Sequence, residues 1–99
     1  MPEADVVPKI RQAALDRLVF LSLRESELTD LPPELSTLNR LKALDLNHNQ
    51  LATLSAAIGD LTDLEILDAE RNRLGYLPKE VGTLTRLKRL TAVQNRTGL

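Results

Sequence analysis

The sequence predicts an α/β repeat solenoid, in which units of one strand and one return segment stack on each other. The first observation is a grid of leucines spaced 23 residues apart. Its sets are Leu18, Leu41, Leu64 and Leu87; Leu21, Leu44, Leu67 and Leu90; Leu28, Leu51 and Leu74; Leu31, Leu54 and Leu77; and Leu38, Leu61 and Leu84. The second is a two-residue alternation inside each unit. A period of this length marks units that cannot bury their own apolar face and must stack on neighbours.

Each unit opens on a predicted strand. Its leucines are spaced three and then two residues apart, as at Leu41, Leu44 and Leu46. The two-residue spacing predicts a strand with both of these side chains pointing inward. Neighbouring strands are predicted to be parallel, because the chain must return to the same edge once per unit. The predicted strands are 20–24, 43–47, 66–70 and 89–93.

From the second unit onward, an asparagine stands three residues after the second inward strand position of the unit: Asn49, Asn72 and Asn95. The chain turns off the strand here, which leaves backbone N–H and C=O groups unpaired inside the stack. A buried amide has both donors and an acceptor to satisfy them. We therefore predict a structural ladder. The alternative, that these side chains bind a ligand, is disfavoured by their repetition in register.

The return segments begin LPPEL, LSAAI and LPKEV. Pro32, Pro33 and Pro78 favour an extended or turn entry into a brief helical stretch. Gly59 and Gly82 suit the end of that stretch. The segments are too short for a long amphipathic helix, so one or two helical or 3₁₀ turns per unit are expected.

Residues 1–17 are predicted to form an N-terminal capping helix, because a solenoid needs polar caps at its ends. Asp5 is a candidate cap residue and Pro8 fits near the first turn. The predicted apolar stripe consists of Val6, Val7, Ile10, Ala14 and Leu15. The alternative is a disordered leader.

The string LxxLxLxxNxLxxLPxxIGxLTxL resembles the 23-residue subclass of the leucine-rich repeat family, found in intracellular bacterial and plant proteins. The resemblance covers residues 18–99, divided into units 18–40, 41–63, 64–86 and a partial unit 87–99. It implies a short horseshoe with a concave parallel β-sheet and short helical or 3₁₀ turns on the convex side, used chiefly to bind other proteins. The departures from the pattern are Ser26 for the first asparagine, Ser55 for the middle proline, and Ala69 and Ala92 for strand leucines.

The concave face is the candidate partner-binding surface. Its candidate residues are Phe20, Ser22, Ala43, Asp45, Asn47, His48, Ile66, Asp68, Glu70, Arg71, Arg89 and Thr91. Asp45 and Asp68 are expected side by side, where like charges cost about 0.2–1 kcal/mol. Beside Phe20 and Ile66 they would form an apolar strip flanked by acid, which suits a basic or amphipathic peptide. The alternative is a chance arrangement on a solvated surface.

Composition argues against several other functions. A net charge of −1 gives no electrostatic footprint for nucleic acid. No apolar run is long enough to span a bilayer, and no polybasic cluster favours membrane binding. The absence of cysteine suits a reducing cytosol, so a cytoplasmic location is expected.

No constellation of residues in the sequence points to catalysis or to a cofactor. His48 is the only histidine, and no serine lies at a turn built to activate it. One histidine with carboxylates on an open sheet is a poor metal site. The glycines fall at repeat turns or near the last residue rather than in a phosphate loop. We expect neither an enzyme nor a cofactor or metal site.

The last strand is predicted to be an open sheet edge, since only seven residues follow Ala92. Open edges invite pairing with another chain. Three outcomes are possible: a homodimer through residues 87–99, coverage by another protein, or Leu99 folding back as a lid. The leading functional hypothesis is a protein-binding module with a protein or peptide partner. The alternative is a structural unit that self-assembles through this edge.

Overall fold

One strand and one short helical turn repeat through the chain after an N-terminal helix. The computed structural model describes residues 2–92 and residue 95. Helix α1 spans Pro2–Leu15. The strands are β1 (Phe20–Ser22), β2 (Ala43–Asp45), β3 (Ile66–Asp68) and β4 (Arg89–Thr91). Three 3₁₀ helices, here named the first, second and third return turns, span Pro33–Thr37, Ala56–Asp60 and Lys79–Thr83. The predicted solenoid is confirmed.

The four strands form one parallel sheet in chain order. Each is three residues long, shorter than the predicted ranges of 20–24, 43–47, 66–70 and 89–93. Three residues after each of the first three strands, at Glu25, His48 and Arg71, the backbone adopts a left-handed conformation, with φ of 54°, 61° and 55°. The last predicted residue, Val93, lies outside the described residues.

Leucines of successive units form one continuous core. Leu23, Leu28, Leu41, Leu46 and Leu51 are fully buried. Ala69 occupies a strand leucine position and is also fully buried. Because every unit packs only on its neighbours, the core is a row of side chains under the sheet, and the opposite sheet face is left exposed.

The return turns hold the convex side together through close packing. A Cβ added at Gly59 would lie 3.1 Å from the Cβ of Glu80 and 3.1 Å from Thr83 Oγ1, so glycine permits the second and third return turns to approach. At Gly82, one unit later, an added Cβ would meet nothing within 4 Å. Both glycines lie one residue before the last residue of their turns, near the predicted end, but without the left-handed φ of a glycine that caps a helix.

Helix α1 covers the first unit, with Val6, Ile10 and Ala13 buried against the core. These positions follow the helical spacing of a core-facing stripe. The predicted stripe was partly wrong, because Leu15 falls off it and is 77% exposed. The predicted cap was also wrong: the helix begins at Pro2, so Asp5 and Pro8 lie inside it. Proline suits the first helical position, where its missing N–H has no partner to lose.

Candidate protein-binding surface

The exposed sheet face carries two rows of side chains that run across the strands. The first row contains Phe20, Ala43, Ile66 and Arg89, which are register partners. Its first three members are named here the apolar row. The second row, named the acidic row, contains Ser22, Asp45, Asp68 and Thr91. Both rows alternate with the buried Leu21, Leu44 and Leu67, so they project from the opposite face.

The apolar row is most accessible at its first residue, Phe20, and less accessible at the other two. Phe20 is 55% exposed and the preceding Val19 is 52% exposed. Ala43 and Ile66 are half-buried. Apolar side chains on neighbouring strands are close enough to make one continuous contact surface.

Asp45 is satisfied by groups from its own and the preceding unit. Ser22 Oγ donates to its Oδ2 at 3.2 Å, and Arg24 Nε donates to the same oxygen at 3.3 Å. The backbone N–H of Asn47 donates to Oδ1 at 3.0 Å. The negative charge is therefore paired before any partner arrives.

Asp68 is satisfied in the same way from the following unit. Thr91 Oγ1 donates to Oδ1 at 2.8 Å, and Arg89 Nη2 lies 3.6 Å from Oδ2. Each aspartate thus has one hydroxyl and one arginine of its own. The repulsion expected between neighbouring carboxylates is offset by these contacts, which explains how the two acids stand side by side.

Asn47 does not belong to the partner-binding surface, which corrects the sequence-based assignment. Its side chain is buried, and its Oδ1 accepts a 2.7 Å hydrogen bond from the backbone N–H of Glu70. The strand has already ended at Asp45, so two-residue alternation no longer says which way the side chain points. His48, Glu70 and Arg71 lie on the turns that follow β2 and β3, at one end of the concave face.

The three asparagines of the predicted ladder connect adjacent units. Asn49 Nδ2 donates to the carbonyls of Leu23 and Leu46, at 3.0 and 2.9 Å. Asn72 Nδ2 donates to Leu46 at 3.0 Å and to Ala69 at 3.2 Å. Asn95 Nδ2 continues to the carbonyl of Ala69 at 3.0 Å. Asn49 and Asn72 are buried.

A further surface, which the sequence patterning did not reveal, lies where α1 meets the first return turn. A cavity of about 170 Å³ opens there, and Arg17 and Arg40 both line it. The sequence signal was present, because these arginines are 23 residues apart in the position just before the first leucine of a unit.

The described residues also bear on other functions. Among residues 2–92 and 95, no three histidine, aspartate or glutamate side chains are grouped to hold a metal ion. Within the same part of the chain, no helix combines the length and apolar character needed to cross a membrane.

A parallel sheet with one exposed face, short return turns and an asparagine ladder defines a leucine-rich repeat solenoid. A family model for leucine-rich repeat regions matches residues 11–98, and the chain belongs to that family. Members of the family commonly bind other proteins and are typically not enzymes. The division into units at residues 18, 41, 64 and 87 stays a prediction.

The chain is also similar to a solved structure, that of a leucine-rich repeat protein from Leptospira interrogans. The two are 22% identical with a TM-score of 0.41, and the match covers 86% of this chain and 34% of the other. The chain therefore spans about a third of that protein's length. No curated protein matches the chain significantly.

Proposed function

We propose that this chain is a protein-binding module that presents its concave sheet to a protein or peptide partner. The observation that carries the proposal is the apolar row, in which an exposed Phe20 continues into Ala43 and Ile66 across three strands. Aromatic and apolar side chains on a rigid sheet are suited to bury a partner's side chains at low entropic cost. The common role of the family supports the same function.

The contacts of the acidic row narrow the chemistry of the partner. Arg24 and Arg89 already compensate Asp45 and Asp68, so the row offers hydrogen-bonding groups rather than a net negative field. This favours an amphipathic partner segment over a purely basic one. Its apolar side chains would contact the apolar row, and its polar groups would contact the acidic row.

The proposal does not include catalysis. Members of the leucine-rich repeat family are typically not enzymes, which supports leaving catalysis out.

The test compares variants on the concave and convex sides. Phe20→Ala, Ile66→Ala and Asp68→Lys are each expected to weaken partner binding by about fivefold or more, as truncation of a central contact does. The partner is first captured from native lysate with the wild-type chain, and the dissociation constant of each variant is then measured with the purified partner.

Lys79→Ala and Glu80→Ala on the third return turn are the controls, and circular dichroism verifies that each variant is folded. If the return-turn variants abolish binding while the concave variants retain it, the binding face has been assigned wrongly.

A second candidate function is self-assembly, favoured by incomplete burial at the last described unit. Leu77, Val81, Leu87 and Leu90 are only partly buried, and this group is named the end face. The equivalent side chains one unit earlier, Leu54, Ile58, Leu64 and Leu67, are buried. A second copy would cover the end face. The predicted lid at Leu99 lies outside the described residues.

A further inference from the structure

The column of residues that precedes the first leucine of each unit is unevenly charged. It reads Arg17, Arg40, Asp63 and Arg86, each 23 residues after the last. Arg86 Nη1 lies 3.1 Å from Asp63 Oδ1, so the only acid of the column is already paired. Among the residues that the structure describes, the guanidinium groups of Arg17 and Arg40 have no carboxylate within ion-pair distance. Two neighbouring positive charges are left without a counter-charge.

Asp16, the acid next to Arg17 in the chain, does not supply that counter-charge. Gln12 Nε2 donates to Asp16 Oδ1 at 3.1 Å. Asp16 is not among the residues that line the cavity. The carbonyls at the end of α1 are also engaged: those of Ala13 and Ala14 accept hydrogen bonds from the N–H groups of Leu18 and Arg17, at 3.0 and 3.2 Å.

Both arginines face the same cavity of about 170 Å³. Its other lining residues are Ala13, Ala14, Leu18, Thr37, Leu38 and Asn39. The cavity is therefore lined by two arginines together with both apolar and polar side chains. Arg17 and Arg40 are both exposed, so an incoming peptide can reach them. A guanidinium group binds a carboxylate through two parallel hydrogen bonds.

A shallow groove of about 490 Å³ adjoins the cavity and shares Ala14 and Thr37 with it. Leu15, 77% exposed, lines this groove. Arg11 and Glu34, which also line it, lie 3.8 Å apart and compensate each other. The groove therefore offers apolar surface without an unpaired charge.

We propose that this N-terminal corner binds an acidic, apolar peptide segment of a partner protein. Arg17 and Arg40 hold a carboxylate of the segment in the cavity, and a neighbouring apolar side chain lies on Leu15 in the groove. Charge complementarity selects this occupant, because two unpaired arginines stand beside a neutral apolar groove. The site is separate from the concave sheet and does not depend on the function proposed for it.

The experiment measures binding of a fluorescently labelled, end-blocked peptide with two glutamates between leucines. Its counterpart with glutamines in place of glutamates is the ligand control. Fluorescence anisotropy with the full chain is expected to detect the acidic peptide, with affinity falling as salt rises. Arg17→Gln and Arg40→Gln are each expected to weaken binding severalfold, because an ion pair of an exposed arginine contributes up to about 1 kcal/mol. Leu15→Ser is expected to weaken it severalfold.

Arg73→Gln is the matched control, because it removes the same charge from an exposed arginine that lines neither cavity nor groove. Ile66→Ala on the concave sheet is expected to leave the peptide affinity unchanged. Equal affinity for the glutamine peptide, or an equal loss with Arg73→Gln, would overturn the proposal. A further test records the NMR chemical shifts of the residues that line the cavity. Shifts that change with inorganic phosphate but not with the acidic peptide would also overturn the proposal.

Discussion

The asparagine ladder joins neighbouring units because two asparagines donate to the same carbonyl group. The carbonyl of Leu46 accepts from both Asn49 and Asn72, and the carbonyl of Ala69 accepts from both Asn72 and Asn95. Asn72 Oδ1 also accepts from the buried N–H of Leu51 at 3.2 Å. Losing one amide therefore leaves several backbone groups of two adjacent units without a partner.

Asn72→Ala is expected to lower the free energy of unfolding by about 1–3 kcal/mol, because it orphans the buried N–H of Leu51. Urea denaturation followed by circular dichroism measures the change. Asn39→Ala is the control, since Asn39 is exposed and the same truncation should leave the midpoint nearly unchanged. Equal denaturation midpoints for Asn72→Ala and the wild type would contradict the claim that the hydrogen bonds of Asn72 stabilise the fold.

The sequence predicts which asparagines repeat in register but not how the neighbouring polar residues are oriented. Asn49, Asn72 and Asn95 could be found because a backbone need recurs once per unit. Asn47 could not, because its orientation depends on where β2 ends and on the left-handed φ of His48. The pairing of Asp45 with Arg24 likewise depends on side-chain conformations that spacing does not determine.

At the scale of elements, the second return turn differs from its neighbours at its first position. Pro32 and Pro78 precede the first and third turns with φ of −68°, and Ser55 precedes the second with φ of −69°. The Oγ of Ser55 is buried without a hydrogen-bond partner among the described residues. The backbone at Ser55 already has the φ of a proline. Its buried hydroxyl group destabilises the fold, because it has lost its hydrogen bonds to water.

Ser55→Pro is expected to stabilise the chain by about 0.4–1 kcal/mol through the reduced entropy of the unfolded state, with a further gain from removing the buried hydroxyl. Thermal unfolding monitored by circular dichroism should show a raised Tm. Ser55→Ala separates the two effects, because it removes the hydroxyl without restricting φ. A lower Tm for Ser55→Pro than for Ser55→Ala would mean that the ring does not fit.

Element boundaries were harder to predict than element types. The return turns were expected as short helical pieces, and their 3₁₀ character follows from their length. The cap was assigned to Asp5, which lies inside α1, because Asp5 and Pro8 resemble a helix start as much as Pro2 does. Leu15 was placed in the core by its apolar character alone, although the stripe is set by Val6, Ile10 and Ala13.

The whole molecule is asymmetric along its repeat axis. Helix α1 packs on the first unit, and Lys9 Nζ donates to the carbonyl of Ser22 on β1 at 2.7 Å. The side chains of the end face, at the other side of the stack, are only partly buried. A lysine at a sheet edge opposes pairing with another chain. Self-association, where it occurs, is therefore expected through β4 rather than β1.

Light scattering is expected to detect a concentration-dependent homodimer through residues 87–99. Thr91→Lys should dissociate the dimer, because a lysine on an edge strand opposes pairing with another chain. The fold should be retained, because Asp68 lies beside position 91 and can pair with the new charge. Ser22→Lys is the matched control: it lies in the same row beside Asp45, but on β1, and should not change the mass. A wild-type chain that is monomeric at high micromolar concentration would rule out this dimer.

The constant spacing of the ladder means that the chain can change length by whole units. Each asparagine donates to a carbonyl 26 residues earlier and accepts from an N–H 21 residues earlier. Deleting residues 41–63 would therefore bring Asn72 onto the carbonyl of Leu23 and set Asp68 beside Ser22. One steric conflict follows, because Ser36 would take the place of Gly59 against Glu80 and Thr83. A duplication or deletion in the gene that respects this period therefore changes the number of strands in the sheet while it preserves the ladder bonds between neighbouring units.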